Sequence, residues 1–319
     1  MKKIIMLFFV NLITNFASYS QVYKELITKA DSLYNIKEYS KSSEFYRQAY
    51  ELGDKDFNDL YNGACSASLA GKKEQAFKLL NLSVQNGWTD INHLKTDSDL
   101  DNLHKDSSWN ILINKVQKIT DSIEANYDKP LKNELEEIFK DDQNIRNKYV
   151  ATGEKLGYKD PKVDSLGKIM IYKDSINQIK VIQILDTKGW MGKEKVGVTG
   201  NQALFLVMQH AGLKTQEKYL PMMREAVKNG ALNQSFFAAL EDRVALRQGK
   251  KQIYGTQIGI NSELKINYVQ PLEDPDNVDK RRASVGLHPI AEYVKKWGII
   301  WNVEEYKKQL PEIEKWNKQ

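Results

Sequence analysis

The sequence predicts a mainly α protein in two parts: repeated helical hairpins, then a second helical domain carrying a small β-hairpin. Apolar residues recur at three- and four-residue spacing over most of the chain, the period of amphipathic helices. Small and large apolar positions between Leu26 and Ser83 repeat after 34 residues. Strand-like segments are confined to the stretch after Gly249, where QIYGTQIGI and LKINYVQPL read as a hairpin. At 319 residues, 41% hydrophobic and 28% charged, the chain holds enough apolar material for two packed domains, which excludes wholesale disorder. A single cysteine, Cys65, excludes an internal disulfide framework and a Cys-rich zinc or iron–sulfur site. The net charge of +5 comes from 47 Lys and Arg interspersed with 42 Asp and Glu. That is a solvated surface rather than a polybasic one, so no nucleic-acid partner is expected.

The first element is an export signal. Met1-Lys2-Lys3 precedes an apolar run from Ile4 to Ile13, then the small-residue patch Ala17-Ser18-Tyr19-Ser20. A cationic start, a short apolar core and small residues form a secretory signal peptide over 1–20, with cleavage after Ser20. A spanning helix needs about 20 apolar residues, and this run is about half that. The expected product lies in the periplasm or medium, with no stable membrane insertion after cleavage. Cys65 is then a buried small hydrophobe, as suits a lone thiol in an oxidising compartment.

Residues 21–125 form the repeat domain. Leu26, Ala30, Leu33, Ser42, Tyr46 and Ala49 recur as Leu60, Ala64, Ala67, Ala76, Leu80 and Ser83. Small residues sit where helices cross closely, and large ones fill the gaps between successive pairs. This 34-residue pattern resembles tetratricopeptide repeats. After Asn86-Gly87-Trp88 the chain reads as short helices near 91–95 and 100–104 and a closing helix over 108–123. Residues 58–118 resemble the end-of-group tetratricopeptide module, a degenerate capping repeat. That resemblance implies a scaffold that binds a protein or peptide. His93 and His104, 11 residues apart without a third ligand nearby, do not make a metal site.

The polar segment EANYDKP marks a linker, and four of the 18 glycines precede residue 150 while 14 follow it, so the second domain is placed at 131–319. Helices are expected over 131–150 and 163–187. GWMGKEKVGVTG reads as a loop ending in Thr199, which caps a helix over 201–210. Helices near 215–229 and 234–248 precede the hairpin, and Pro275 and Pro289 each open a short helix.

GNQALFLVMQHA, QEKYLPMMREAVKNG, ALEDRVALRQGKKQIYGTQ and NVDKRRASVGLHPI, in that order, resemble a bacterial family known only as a domain of unknown function. The resemblance covers 131–297 and implies no activity. It implies a recurring core of Gln209, His210, Asp242, Arg243, Gln252, Tyr254, Gly255, Thr256, Gln257, Asp279, Arg281 and Arg282, with Asp142, Gln143 and Arg146 as a further element.

From these residues three readings follow. His210, Asp242 and Gln257 would serve catalysis, with an Asp orienting the imidazole. Arg243, Tyr254, Thr256, Asp279, Arg281 and Arg282 would bind a ligand, an Arg gripping a carboxylate or phosphate. Alternatively the same groups form a structural salt-bridge network. Within that network Asp242 and Arg243 are expected to be structural, and His210 and Arg282 more exposed. No hydrolase elbow, His-Glu metal motif, Walker loop or dinucleotide fingerprint is present, and Asp274, Asp276 and Asp279 lack the glycine and closing glutamate of a calcium loop. No metal or cofactor is therefore expected. The leading functional expectation is an exported interaction protein; the alternative is an extracytoplasmic hydrolase or transferase acting on an envelope substrate.

Overall fold

The computed structural model describes residues 21–53, 56–261 and 263–316. The expected signal peptide lies outside the described residues. The chain divides into two compact units with the break between Ala125 and Asn126. The fold is mainly α, built of helical hairpins with one two-stranded antiparallel β-hairpin near the C-terminus.

The first unit opens with α1 (21–35) and α2 (Tyr39–Glu51), followed by α3 (Phe57–Leu69) and α4 (Lys73–Gln85). Positions related by the 34-residue offset share burial: Ala30 with Ala64, Ser42 with Ala76, Tyr46 with Leu80, and Ala49 with Ser83 are all within the interior. Two of the polar members are satisfied locally. Ser42 Oγ donates to Ala30 O (2.8 Å) and Ser83 Oγ to Phe57 O (2.7 Å). Asp90 caps α5 (Ile91–Thr96), Asp97 caps a 3₁₀ turn (Ser98–Leu103), and Asp106 caps α6 (Ser107–Glu124), so these three Asp residues each meet an otherwise orphaned N–H. Trp88, Leu94, Leu100, Leu103, Trp109 and Leu112 close the core laid down by α3 and α4.

In the second unit α7 (Lys129–Leu156) and α8 (Pro161–Lys188) form a long hairpin, each with an Asp cap and a proline in its first turn. α9 (Lys193–His210) packs against α7, and α10 (Leu213–Lys228) against α11 (Gln234–Arg247). Leu135, Val181, Leu185, Leu204, Met208, Met223 and Leu240 fill this core. α9 begins earlier than the glycine-rich sequence suggests: residues read as a loop form its first turn. Gly197, at φ 71°, breaks the helix between that turn and the rest, letting Val196 reach the core while Thr199 lies inside the helix rather than capping it.

β1 (Ile258–Asn261) and β2 (Ile266–Val269) pair in register Ile258 to Val269, and both are shorter than the alternating sequence suggests. α12 (Val278–Ser284), α13 (Ile290–Tyr293) and α14 (Val303–Trp316) enclose a small core of Val269, Leu272, Val278, Ile290, Val294, Tyr306 and Ile313. α14 was not read from the sequence. Its Tyr306 hydroxyl donates to Gln270 O (3.0 Å) and accepts from Leu272 N (2.8 Å), fastening the end of the chain to the strand exit. No described helix is long and apolar enough to cross a membrane.

Ala64 and Ala76 have no exposed surface. Ala64→Trp or Ala76→Trp should therefore destabilise by about 1–3 kcal/mol or more through overpacking. Lys118→Ala, on an exposed turn of α6, should stay within about 0.5 kcal/mol. Urea unfolding of the three variants checks this, and equal midpoints would contradict the packing.

Candidate functional site

The first unit contains a cavity of about 590 Å³. Three carboxylates line it, Asp31, Asp97 and Asp99, each receiving a phenol: Tyr46 donates to Asp31, Tyr34 to Asp99, and Tyr61 to Asp97 (2.9 Å). Asn35, Asn62, Cys65 and His93 complete the wall, and no Lys or Arg is among the lining residues. Burial, then the hydrogen bond to Asp99 and its charge, pushes the Tyr34 hydroxyl up. Cys65 is pushed up by burial, then by the charges of Asp97 and Asp99, so it is a neutral thiol without nucleophilic character. Ligand atoms of Cys65, Asp97 and Asp99 lie within 4.8 Å of one another, but a metal there would first have to displace the thiol proton.

In the second unit the polar groups fall into two sets. The first is a knot around Asp242, which has no exposed surface. Its carboxylate accepts from Ile253 N (2.6 Å), Tyr254 N (2.9 Å), Thr256 N (2.9 Å) and Thr256 Oγ1 (2.8 Å). Residues 253–256 therefore curl around the carboxylate instead of extending as a strand, and Tyr254 and Thr256 do not alternate across a sheet. Gly255 makes the curl at φ 70°, with the Ile290 side chain so close that a Cβ would lie 2.7 Å from it. Burial pushes Asp242 up, against the pull of the four donated hydrogen bonds.

Arg282, expected to be exposed, is wholly buried. It donates to His288 O (2.6 Å) and Tyr254 O (2.7 Å) and stacks over Tyr293, 4.7 Å from the ring centroid. Arg281 Nε donates to Ile253 O (2.8 Å), and Asp279 Oδ1 accepts from Ile290 N (2.7 Å). Asp242, Thr256, Asp279, Arg281 and Arg282, with the Tyr254 backbone, thus tie the loop after α11 to α12 and α13.

The second set surrounds the end of α9. Gln216 Nε2 donates to Met208 O and Gln209 O, Arg243 Nη1 to Gln209 O (3.0 Å), and Arg247 Nη1 to Ala211 O (2.9 Å). Cations belong at a helix C-terminus, where carbonyls lack partners and the macrodipole is negative. Gln257 Oε1 accepts from Arg243 Nε at 3.4 Å. On the other side, His210 Nδ1 lies 2.9 Å from Asp142 Oδ1, not against Asp242. Arg146 donates to Asp142 and, at 2.7 Å, to Asp174 Oδ1. Burial opposes ionisation of Asp142, but His210 and Arg146 together outweigh it and hold the carboxyl below the usual range. Asp142, Asp174 and His210 have metal-ligating atoms within 4.8 Å of one another, yet Arg146 already pairs with both carboxylates.

Of the residues proposed from sequence, His210, Arg243 and Gln257 gather at this helix end, while the other six belong to the Asp242 knot. Asp174 and the groove residues carried no sequence signal, because their partners lie on separate helices. Arg247 did carry one: it stands four residues after Arg243, so two cations share one helix face.

A family model described as Family of unknown function (DUF6624) matches residues 129–302, more than half of the chain. The chain belongs to DUF6624. The match contains both polar sets, and the DUF6624 region excludes the first unit with its acidic cavity. No curated protein and no solved structure shows significant similarity to the chain.

Asp242→Ala should cost about 3 kcal/mol or more, because four buried donors lose their acceptor. Asp142 gives a test in pH. Its folded carboxyl lies below the unfolded value of about 3.9, so its contribution is complete above that pH and is lost as pH falls through the folded value. Urea unfolding from pH 7 to 3 should show stability falling below about pH 4 in the native chain. Asp142→Asn should be less stable at pH 7 and lose less on acidification.

Proposed function

We propose that the chain is exported through residues 1–20 and acts outside the cytoplasm as an interaction protein. Its first unit, in this reading, is a tetratricopeptide-type array that grips a Lys- or Arg-bearing segment of a partner protein. The observation that carries the reading is the roughly 590 Å³ cavity, which presents Asp31, Asp97 and Asp99 and no Lys or Arg, with His93 beside Asp97 (3.6 Å) as its one imidazole. Three carboxylates sharing one concave surface repel one another, and a bound ammonium or guanidinium relieves that repulsion with charge-assisted hydrogen bonds. Tyr34, Tyr46 and Tyr61 add ring surface along which an aliphatic stem can lie. The Lys-Lys start, the short apolar run and the buried lone cysteine support export.

A second reading, an enzyme using His210, is favoured by one observation. Asp142 fixes the Nδ1 side of the ring, and Nε2 has no hydrogen bond among the described residues, which is how a general base is presented. The cavity beside the pair measures only about 10 Å³, room for no more than a water, so binding is the stronger reading.

Fluorescence anisotropy with labelled Lys-rich and Glu-rich peptides tests the groove. The Lys-rich peptide should bind, weaken with added salt and lose affinity about tenfold or more with Asp31→Lys or Asp99→Asn. Equal binding of both peptides would contradict the reading. Intact-mass measurement of the secreted product should show residues 1–20 removed.

A further inference from the structure

The cavity between the end of α11 and the hairpin is lined by Arg243, Leu246, Arg247, Gln257 and Gln270 and holds about 330 Å³. No Asp or Glu is in its wall. Arg243 directs its hydrogen bonds to Gln209 O and Gln257 Oε1, and Arg247 to Ala211 O and Gln216 Oε1. All four acceptors are neutral oxygens. Arg146 instead meets Asp142 and Asp174, Arg224 meets Glu241 and Arg281 meets Asp274, while Arg282, also without a carboxylate, is enclosed by carbonyls and the Tyr293 ring.

A structural role accounts for only part of this charge. The end of α9 carries roughly half an elementary negative charge. Two guanidiniums against it, Arg243 half-buried and Arg247 exposed, leave a surplus of more than one positive charge. Arg243 registers the surplus: burial first, then the charges of Arg247 and Arg146, lowers it from its ordinary value. Native chains seldom keep like charges together on one helix face without a partner, since i,i+4 repulsion destabilises the helix.

We propose that this cavity binds a small ligand through a carboxylate or phosphate group held between Arg243 and Arg247. Planar guanidiniums match the oxygen geometry of both groups, and two forks from successive helical turns grip one anion from the same side. Gln270 supplies the amide. Its Nε2 has only a long contact of 3.5 Å to Ile258 O, so it can turn to donate to a bound oxygen at little cost. The volume lies at the lower end of small-molecule pockets, which fits a metabolite-sized anion or the charged end of a larger molecule. The site is independent of the acidic groove.

Thermal unfolding and titration calorimetry of the full chain with inorganic phosphate, citrate and sodium chloride at matched ionic strength test the proposal. Phosphate or citrate should raise the melting temperature saturably, as a ligand selective for the folded state must, while chloride should not. A response to phosphate alone identifies the phosphate class, and a response to citrate alone the carboxylate class. Arg247→Ala should weaken binding about tenfold or more. Because Arg247 also caps α9, Gln270→Glu provides a second variant that keeps both guanidiniums and brings a carboxylate into the cavity; it should weaken binding equally. No shift beyond that of chloride, or undiminished binding by Gln270→Glu, overturns the proposal.

Discussion

One buried carboxylate organises the second half of the DUF6624 region. Asp242 sits near the end of α11 without exposed surface, and a carboxylate there is tolerable only if its lone pairs are met. The next segment meets them with three N–H groups and a hydroxyl, all from residues 253–256. Those N–H groups are then lost to any sheet, which is why β1 starts only at Ile258. The carbonyls of the same curl turn the other way. Tyr254 O takes the Arg282 guanidinium, Ile253 O takes Arg281, and Thr256 O takes the Tyr293 hydroxyl. A single acidic residue thereby fixes α11, the loop, α12 and α13 to one another. Asp242 and Arg282 need no direct contact for this; the curled backbone lies between them and gives each the polarity it needs.

The knot also explains why functional chemistry lies beside it rather than within it. Gln252 bonds through its side chain to Gln257 N, Gln257 O and Gln270 O, so the curl hands on a rigid exit. That exit holds Gln257 and Gln270 against the face of α11 that carries Arg243 and Arg247. Most donors and acceptors of this scaffold face inward and meet one another. The helix face at its rim carries positive charge that neutral oxygens alone receive.

Much of the fold was legible because helical periodicity and capping are local. Asp128 and Asp160 with the prolines after them mark the starts of α7 and α8, and Ala30, Ala64 and Ala76 mark close helix crossings by size alone. The misreadings share one cause, tertiary contact overriding local pattern. Residues 252–257 alternate like a strand, but their N–H groups serve Asp242. The glycine-rich run before Thr199 resembles a loop, but Gly197 lets a helical turn precede the main helix. The sequence suggests a surface cation at Arg282, yet it lies in the interior, where backbone carbonyls receive Nε and Nη1 and the Tyr293 ring covers the guanidinium. At the candidate site, Asp142 and His210 were each visible, but their meeting across 68 residues was not. The acidic cavity was less legible still, because Asp31 lies on α1 while Asp97 and Asp99 share a 3₁₀ turn more than 60 residues on, and they acquire meaning only when brought to one cavity.

Compensation sorts the motif residues: those of the knot are enclosed by their partners, whereas Arg243 stands at the rim of a cavity. Asp242, Asp279 and Arg281 each meet donors or acceptors that account for their charge, so removing one exposes a cost in stability. Arg282 is wholly buried and lacks a carboxylate too, but three carbonyl contacts and an aromatic face enclose it, with no cavity at its side chain among those described. Arg243 and Arg247 fail the same accounting in a place open to a ligand. So do Asp31, Asp97 and Asp99, whose phenol partners donate hydrogen bonds but bring no positive charge. On the two proposed readings, opposite signs of surplus charge in the two units would select two different ligands, one cationic and one anionic. A chain carrying both sites would join a protein partner to a small charged molecule, since neither site could serve the other's ligand.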